Sequence, residues 1–137
     1  MKFTIDLTPT AASRPRIPKF GKPYYNEPYN SYKNILKVLI GKEVIKSKRP
    51  LFKQYEPLKL HVTFYMPFSK GTSKKKMDEM LYHTKKPDAD NLLKAIKDGM
   101  NDIIYHDDGQ VCELEVRKYY VDGFEPRTEV QIYKINV

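Results

Sequence analysis

Apolar residues recur along this chain with two different periods, and the switches between them mark out its elements. Phe3, Ile5 and Leu7 alternate with their neighbours over residues 2–8, the period of a half-buried strand. Residues 9–28 carry five prolines (Pro9, Pro15, Pro18, Pro23 and Pro28), which predicts an irregular segment. From Tyr29 to Lys46 the apolar positions Tyr32, Ile35, Leu36 and Leu39 return at helical spacing. Pro50 and Pro57 bracket a connection. Residues 58–66 then alternate again, with Leu58, Leu60, Val62, Phe64 and Met66 set against Lys59, His61, Thr63 and Tyr65. That is the pattern of a strand with one buried face.

A long basic segment follows over residues 67–87, and its middle, Lys76 to Tyr82, is expected to form a short helix. The second main helix is expected from Asp90 to Ile104. Placing residues at about 100° intervals gathers Leu92, Leu93, Ile96, Met100, Ile103 and Ile104 in one arc, with Asp90, Lys94, Lys97, Asp98 and Asn101 in the other. Asp107-Asp108-Gly109 signals a turn. Cys112, Leu114 and Val116 alternate into a strand reaching Tyr120, Gly123 to Pro126 turn the chain, and Thr128, Val130 and Ile132 form a last strand. The order is β-α-β-α-β-β. It predicts one α+β domain over residues 1–137, a small mixed sheet of about four strands with two main helices, and basic irregular segments at 9–28 and 67–87.

Composition narrows the partners. At 137 residues the chain can bury a real core, and 40% hydrophobic with 31% charged residues describes a globular protein. The one cysteine, Cys112, leaves no internal disulfide and no cysteine-rich zinc site. With no apolar run of membrane-span length, a cytoplasmic protein with no membrane partner and no nucleotide cofactor is expected. The net charge of +8 favours a polyanion such as nucleic acid.

That charge is unevenly spread. Basic blocks run from Arg14 to Lys22, Lys42 to Lys53 and Lys70 to Lys86, whereas ten of the seventeen acids fall between Asp88 and Glu125, among only four Lys or Arg. The pattern describes a polyanion-binding surface with an acidic site set into it.

Within that acidic stretch Asp88 and Asp90 stand two residues apart, a spacing that shares one side only in extended chain. Pro87 favours extended geometry before them, and Asp90 is a candidate N-cap, with Lys94 rising on the same helical face. A 15-residue helix is about 22 Å long, so the Asp107–Asp108 turn reaches the first pair in one of three ways. The next strand starts beside the helix entrance, the helix is shorter than drawn, or a second subunit supplies the pair. Hard divalent cations take oxygen ligands, and a neighbouring lysine can stabilise charge on a phosphate. Asp88, Asp90, Asp107, Asp108 and Lys94 are therefore parts for metal-assisted phosphoryl chemistry. Taken singly, each has a plainer use, as a cap, a turn or a surface pair. An EF-hand loop is set aside, because Leu92 holds a ligand position and the required glycine is missing.

The run K-P-D88-A-D90-N-L-L-K94-A-I-K-D98, followed by H-D107-D108-G-Q-V, resembles the RusA family of Holliday-junction resolvases, and Arg14-Pro15-Arg16 with the downstream tyrosines resembles the basic segment of phage-type members. The resemblance implies a homodimer that nicks four-way DNA junctions in paired strands, using Mg²⁺, with Mn²⁺ as a substitute. It implies Asp88, Asp90 and Asp108 as metal-binding carboxylates, Lys94 as the catalytic lysine and Asp107 as a supporting acid. Arg14, Arg16, Lys19, Lys74, Lys75, Lys76, Lys85 and Lys86 are the residues expected to meet DNA phosphates. A DNA-binding protein without nuclease activity and a metal-dependent nuclease for flaps, single strands or RNA are the competing expectations. Of the remaining residues, His61 and His83 are expected at the surface, Cys112 in the core, and Glu113 and Glu115 solvated on the opposite face.

Overall fold

A computed structural model describes residues 1–136. Four strands, β1 (Lys2–Ile5), β2 (Leu58–Met66), β3 (Val111–Tyr120) and β4 (Arg127–Lys134), alternate with helices α1 (Tyr29–Lys42), α2 (Lys74–Glu79) and α3 (Ala89–Met100). The strands form one mixed sheet in the order β1-β4-β2-β3. β4 lies antiparallel to β1 and β2, and β3 lies parallel to β2. A parallel pair needs a long crossover, and the segment holding α2 and α3 is that crossover. The α+β class and the four-stranded mixed sheet are as expected, with α2 as a short third helix.

The alternation in β2 does what its period predicts. Leu58, Leu60, Val62, Phe64 and Met66 are all buried, and they share one core with Tyr29, Tyr32, Leu36 and Ile40 of α1 and with Leu92, Leu93, Ile96 and Met100 of α3. The helices pack closely, since a Cβ on Gly99 would stand 2.9 Å from Leu36 Cδ2 and 3.0 Å from Ile40 Cδ1. The other sheet face is polar, with Lys59 near Glu113 and His61 against Glu115.

Several boundaries differ from expectation. β1 ends at Ile5, and Leu7 packs on the core beyond it. α1 ends at Lys42, where the Arg49 guanidinium donates to the carbonyls of Gly41 and Val44 and so occupies acceptors that a longer helix would use. Its inward stripe is Tyr29, Tyr32, Leu36 and Ile40, leaving Ile35 47% exposed. α2 starts two residues early because Ser73 caps it, accepting from the Lys76 amide. α3 stops at Met100, four residues short of the expected end.

β3 is the outermost strand of the sheet, and this changes its residues' surroundings. A register shift between Leu58 and Lys59 leaves Cys112 as a bulged residue. Cys112 is exposed and Leu114 is 48% exposed, so the expected core position of Cys112 is corrected. His83, expected at the surface, is buried instead, with its ring edge-on to Tyr120 at 4.9 Å. Burial first, then the neighbouring Lys118, holds its imidazole below the ordinary pKa. Residues 81–83 cover the end of β3: the Tyr120 amide donates to the Leu81 carbonyl, and the His83 amide donates to the Lys118 carbonyl.

Candidate active site

α3 is built to present one polar face. Its buried residues Leu92, Leu93, Ala95, Ile96, Gly99 and Met100 fix its rotation, so Asp90, Lys94 and Asp98, spaced four apart, follow one another along the opposite face. The start of the helix corrects one expectation. Asp88 is the N-cap, with extended backbone, and its Oδ1 accepts from the Asn91 amide at 3.0 Å. Asp90 lies in the first turn, exposed, where a carboxylate complements the helix dipole.

The Asp107–Asp108 turn returns because the helix is short and the chain doubles back after it. The Tyr105 hydroxyl donates to the Lys97 carbonyl at 2.6 Å, laying residues 101–108 against the second half of α3. Burial first, then the charges of Asp108, Asp98 and Asp107, pushes the Tyr105 phenol far above its ordinary pKa. Gln110, buried at 7%, organises the turn. Its Oε1 accepts from the amides of His106 and Asp107, and its Nε2 donates to the carbonyls of Lys53 and Glu56. Asp107 Oδ2 accepts from the Gly109 amide at 2.9 Å, so this carboxylate holds the turn together.

Asp90, Leu93, Lys94, Lys97, Asp98 and Asp108 line one open depression of about 360 Å³. The structure thus joins Asp90, Lys94 and Asp108 and adds Asp98, whose place was legible in its spacing from Lys94. Asp107 lines a different depression with Tyr55, His106 and Cys112. Asp88 stands exposed at the helix entrance, outside the lining of both. Among the described residues no three His, Cys, Asp or Glu are gathered closely enough to enclose a cation. The donor set still fits a hard dication that keeps most of its waters, since Mg²⁺ is commonly held by one or two carboxylates plus substrate phosphates. Asp88, Asp90, Asp98 and Asp108 make no ion pair among the described residues.

Two long-range contacts at the helix entrance had no signal in the sequence. β3 runs back along α3 and delivers Lys118, whose Nζ donates to the carbonyls of Lys85 at 2.6 Å and Pro87 at 2.7 Å, just ahead of Asp88. Burial lowers the Lys118 pKa against the opposing pull of the Asp88 charge. The N-terminal segment is pinned to the same place, the Ala12 amide donating to the Asn91 carbonyl at 3.0 Å.

The basic residues lie in the two chain segments that lead to this entrance. Arg14, Arg16 and Lys19 follow the pinned Ala12 and are exposed. Lys74, Lys75 and Lys76 lie exposed on α2, and Lys85 and Lys86 directly precede Pro87 and Asp88. Lys70, Lys76 and Lys85 share a second depression of about 500 Å³ with Phe68 and Tyr120.

A basic α+β domain that sets unpaired carboxylates and a lysine along one helix, opposite an acidic turn, has the make-up of a nucleic-acid-cleaving hydrolase. The chain belongs to the endodeoxyribonuclease RusA family, whose profile matches residues 6–133. It is 37% identical to the uncharacterized protein YqaN of Bacillus subtilis (strain 168), covering 99% of this chain and 97% of that protein. It is 31% identical to the crossover junction endodeoxyribonuclease rusA of Lactococcus phage r1t, covering 98% and 96% of the two chains. No helix among the described residues is long and apolar enough to cross a membrane.

Proposed function

We propose that this chain is a Mg²⁺-dependent, structure-selective endodeoxyribonuclease that resolves four-way DNA junctions by paired symmetric nicks, working as a homodimer in the cytoplasm. The observation that carries the reading is the shared depression of Asp90, Lys94 and Asp108, in a chain 31% identical to a phage crossover junction endodeoxyribonuclease. Asp90 and Asp108, which share the depression, would hold the ion, with Mn²⁺ accepted in its place, and Asp88 at the helix entrance would act on it through the waters the ion keeps. When bound, the ion supplies an activated water and charge neutralisation at the scissile phosphate. Lys94 stabilises developing negative charge from the same helical face. Asp107 keeps the turn closed so that Asp108 stays opposite Asp90. Asp88 spends one oxygen on its cap, which leaves the other free. The exposed Arg14, Arg16, Lys19, Lys74, Lys75, Lys76, Lys85 and Lys86 hold the DNA through its phosphates, independently of sequence.

Two symmetric nicks need two sites, and β3 supports a dimer. It is an outer strand, with Leu114 exposed, and unpaired edges of this kind are surfaces for pairing with a second chain.

The direct test is metal dependence. Cleavage is expected with Mg²⁺ or Mn²⁺ and lost in chelator, while junction binding persists. Cleavage unaffected by chelator would sink the reading. Lys118 adds a further expectation: Lys118→Met frees the carbonyls ahead of Asp88 and should raise the Mg²⁺ concentration for half-maximal rate about tenfold, the scale of effects seen when supporting groups around a metal are lost. Lys118→Arg should recover much of it. An unchanged Mg²⁺ requirement in Lys118→Met would show that the clamp does not serve Asp88.

A further inference from the structure

The N-terminal basic segment is not a featureless arm. The Arg16 amide donates to the Tyr24 carbonyl at 2.6 Å and the Tyr24 amide donates to the Arg16 carbonyl at 2.9 Å, closing residues 17–23 into a hairpin-like loop. With its amide oxygen turned toward Arg16, Asn26 accepts from that guanidinium at 2.8 and 3.2 Å and braces the base of the loop. Gly21, at φ +103°, makes the bend at the tip possible.

What the loop exposes has no use within the fold. Phe20 is 83% exposed, Ile17 80% and Tyr24 52%. Lys19 and Lys22 flank Phe20, and the Lys19 ammonium stands 5.9 Å from the Phe20 ring centre. Glu27 is the one acid between residues 9 and 28, against Arg14, Arg16, Lys19 and Lys22. The loop begins just beyond Ala12, which is fastened to the first turn of α3 next to Asp90. A projecting aromatic ring edged with positive charge therefore sits on a loop whose base follows directly from the chain fastened at the entrance of α3.

We infer that this loop is a branch sensor, in which Phe20 stacks on a base face left open where DNA strands part, while Lys19 and Lys22 hold the adjoining phosphates. The inference rests on the proposed nuclease reading and adds to it the means of choosing branched over linear DNA. In a linear duplex both faces of each base are already stacked, so Phe20 gains nothing there. At a branch point a face is open, and aromatic stacking on a free base contributes a substantial, sequence-tolerant stabilisation. The lysines contribute on any DNA, because phosphate contacts carry no information about shape or sequence.

The test measures binding of the full-length chain, without divalent metal, to a four-way junction carrying 2-aminopurine at the branch point and to a linear duplex carrying the same base. Phe20→Ala should weaken junction binding about tenfold, leave duplex binding unchanged and abolish the 2-aminopurine signal, with Phe20→Tyr restoring junction binding and the signal. Lys19→Ala should weaken both substrates alike and reduce the salt slope by about one. The exposure of Phe20 means neither variant should shift the melting temperature. If the wild-type chain cuts junctions and Phe20→Ala keeps the same junction-to-duplex preference, this inference alone is overturned. A wild-type chain with no junction preference removes the proposed function and this inference together. Loss of binding to anionic lipid vesicles in Phe20→Ala, with junction preference intact, would assign the loop to a membrane surface instead.

Discussion

Asp90→Asn should reduce cleavage at least about a thousandfold, equivalent to about 4 kcal/mol of transition-state stabilisation, while junction binding stays within about twofold. The substitution keeps the shape of the side chain and removes its charge. It spares the fold because the helix start depends on Asp88, whose side chain accepts from the Asn91 amide, and Asp90 is exposed beyond it. The structural cost is limited to a surface carboxylate near a helix N-terminus, about 0.3–1 kcal/mol. Catalysis loses more, because Asp90 shares a depression with Lys94 and Asp108. Single-turnover cleavage and gel-shift titration of one preparation separate the two effects. Cleavage within tenfold of wild type would mean that Asp90 is not part of the chemistry.

Gln110→Ala should be the most damaging single change outside the hydrophobic core. The side chain is buried, accepts two backbone amides and donates to two carbonyls from the 53–56 connection. Truncation leaves the His106 and Asp107 amides and the Glu56 carbonyl without a partner, while the Lys53 carbonyl still accepts from the Glu56 amide, and each buried unsatisfied group costs about 1–3 kcal/mol. Water entering the gap recovers part of this, so a net loss of about 3–4 kcal/mol is expected, enough to lower the melting temperature by about 10 °C or more. Because the same side chain fixes the turn holding Asp108, cleavage should fall further than binding at temperatures where the variant remains folded. Urea unfolding and cleavage assays on Gln110→Ala check both parts. A melting temperature within about 2 °C of wild type would show that the 53–56 connection and the turn do not depend on Gln110.

The parts of this molecule that were legible in its sequence are those where local pattern and tertiary environment agree. β2 alternates because helices cover one of its faces, and each of its five inward residues is buried. The arc of α3 was readable for the same reason, and with it the polar row of Asp90, Lys94 and Asp98. α1 was misrotated because apolar residues surround it: Ile35 and Val38 are exposed while Ile40 is buried, so its period is ambiguous. The choice between Asp88 and Asp90 as cap turns on a two-residue difference in the helix start, and both side chains cap well. The core position expected of Cys112 failed because alternation says nothing about whether a strand lies at the edge of the sheet. Gln110, Lys118 and the pinning of Ala12 to Asn91 rest on contacts between residues far apart in sequence, which no local period encodes. The chemistry was thus visible as a set of carboxylates, and the groups that hold those carboxylates in place were not.

A labelled synthetic four-way junction, offered with Mg²⁺ beside a linear duplex and a flap, is the most direct test of a junction-resolving nuclease built on Asp90 and Asp108. Paired symmetric nicks in opposed strands of the junction are expected, with the duplex intact and the flap cut poorly. Equal cutting of the flap, or junction binding without cleavage in any divalent metal, would contradict it.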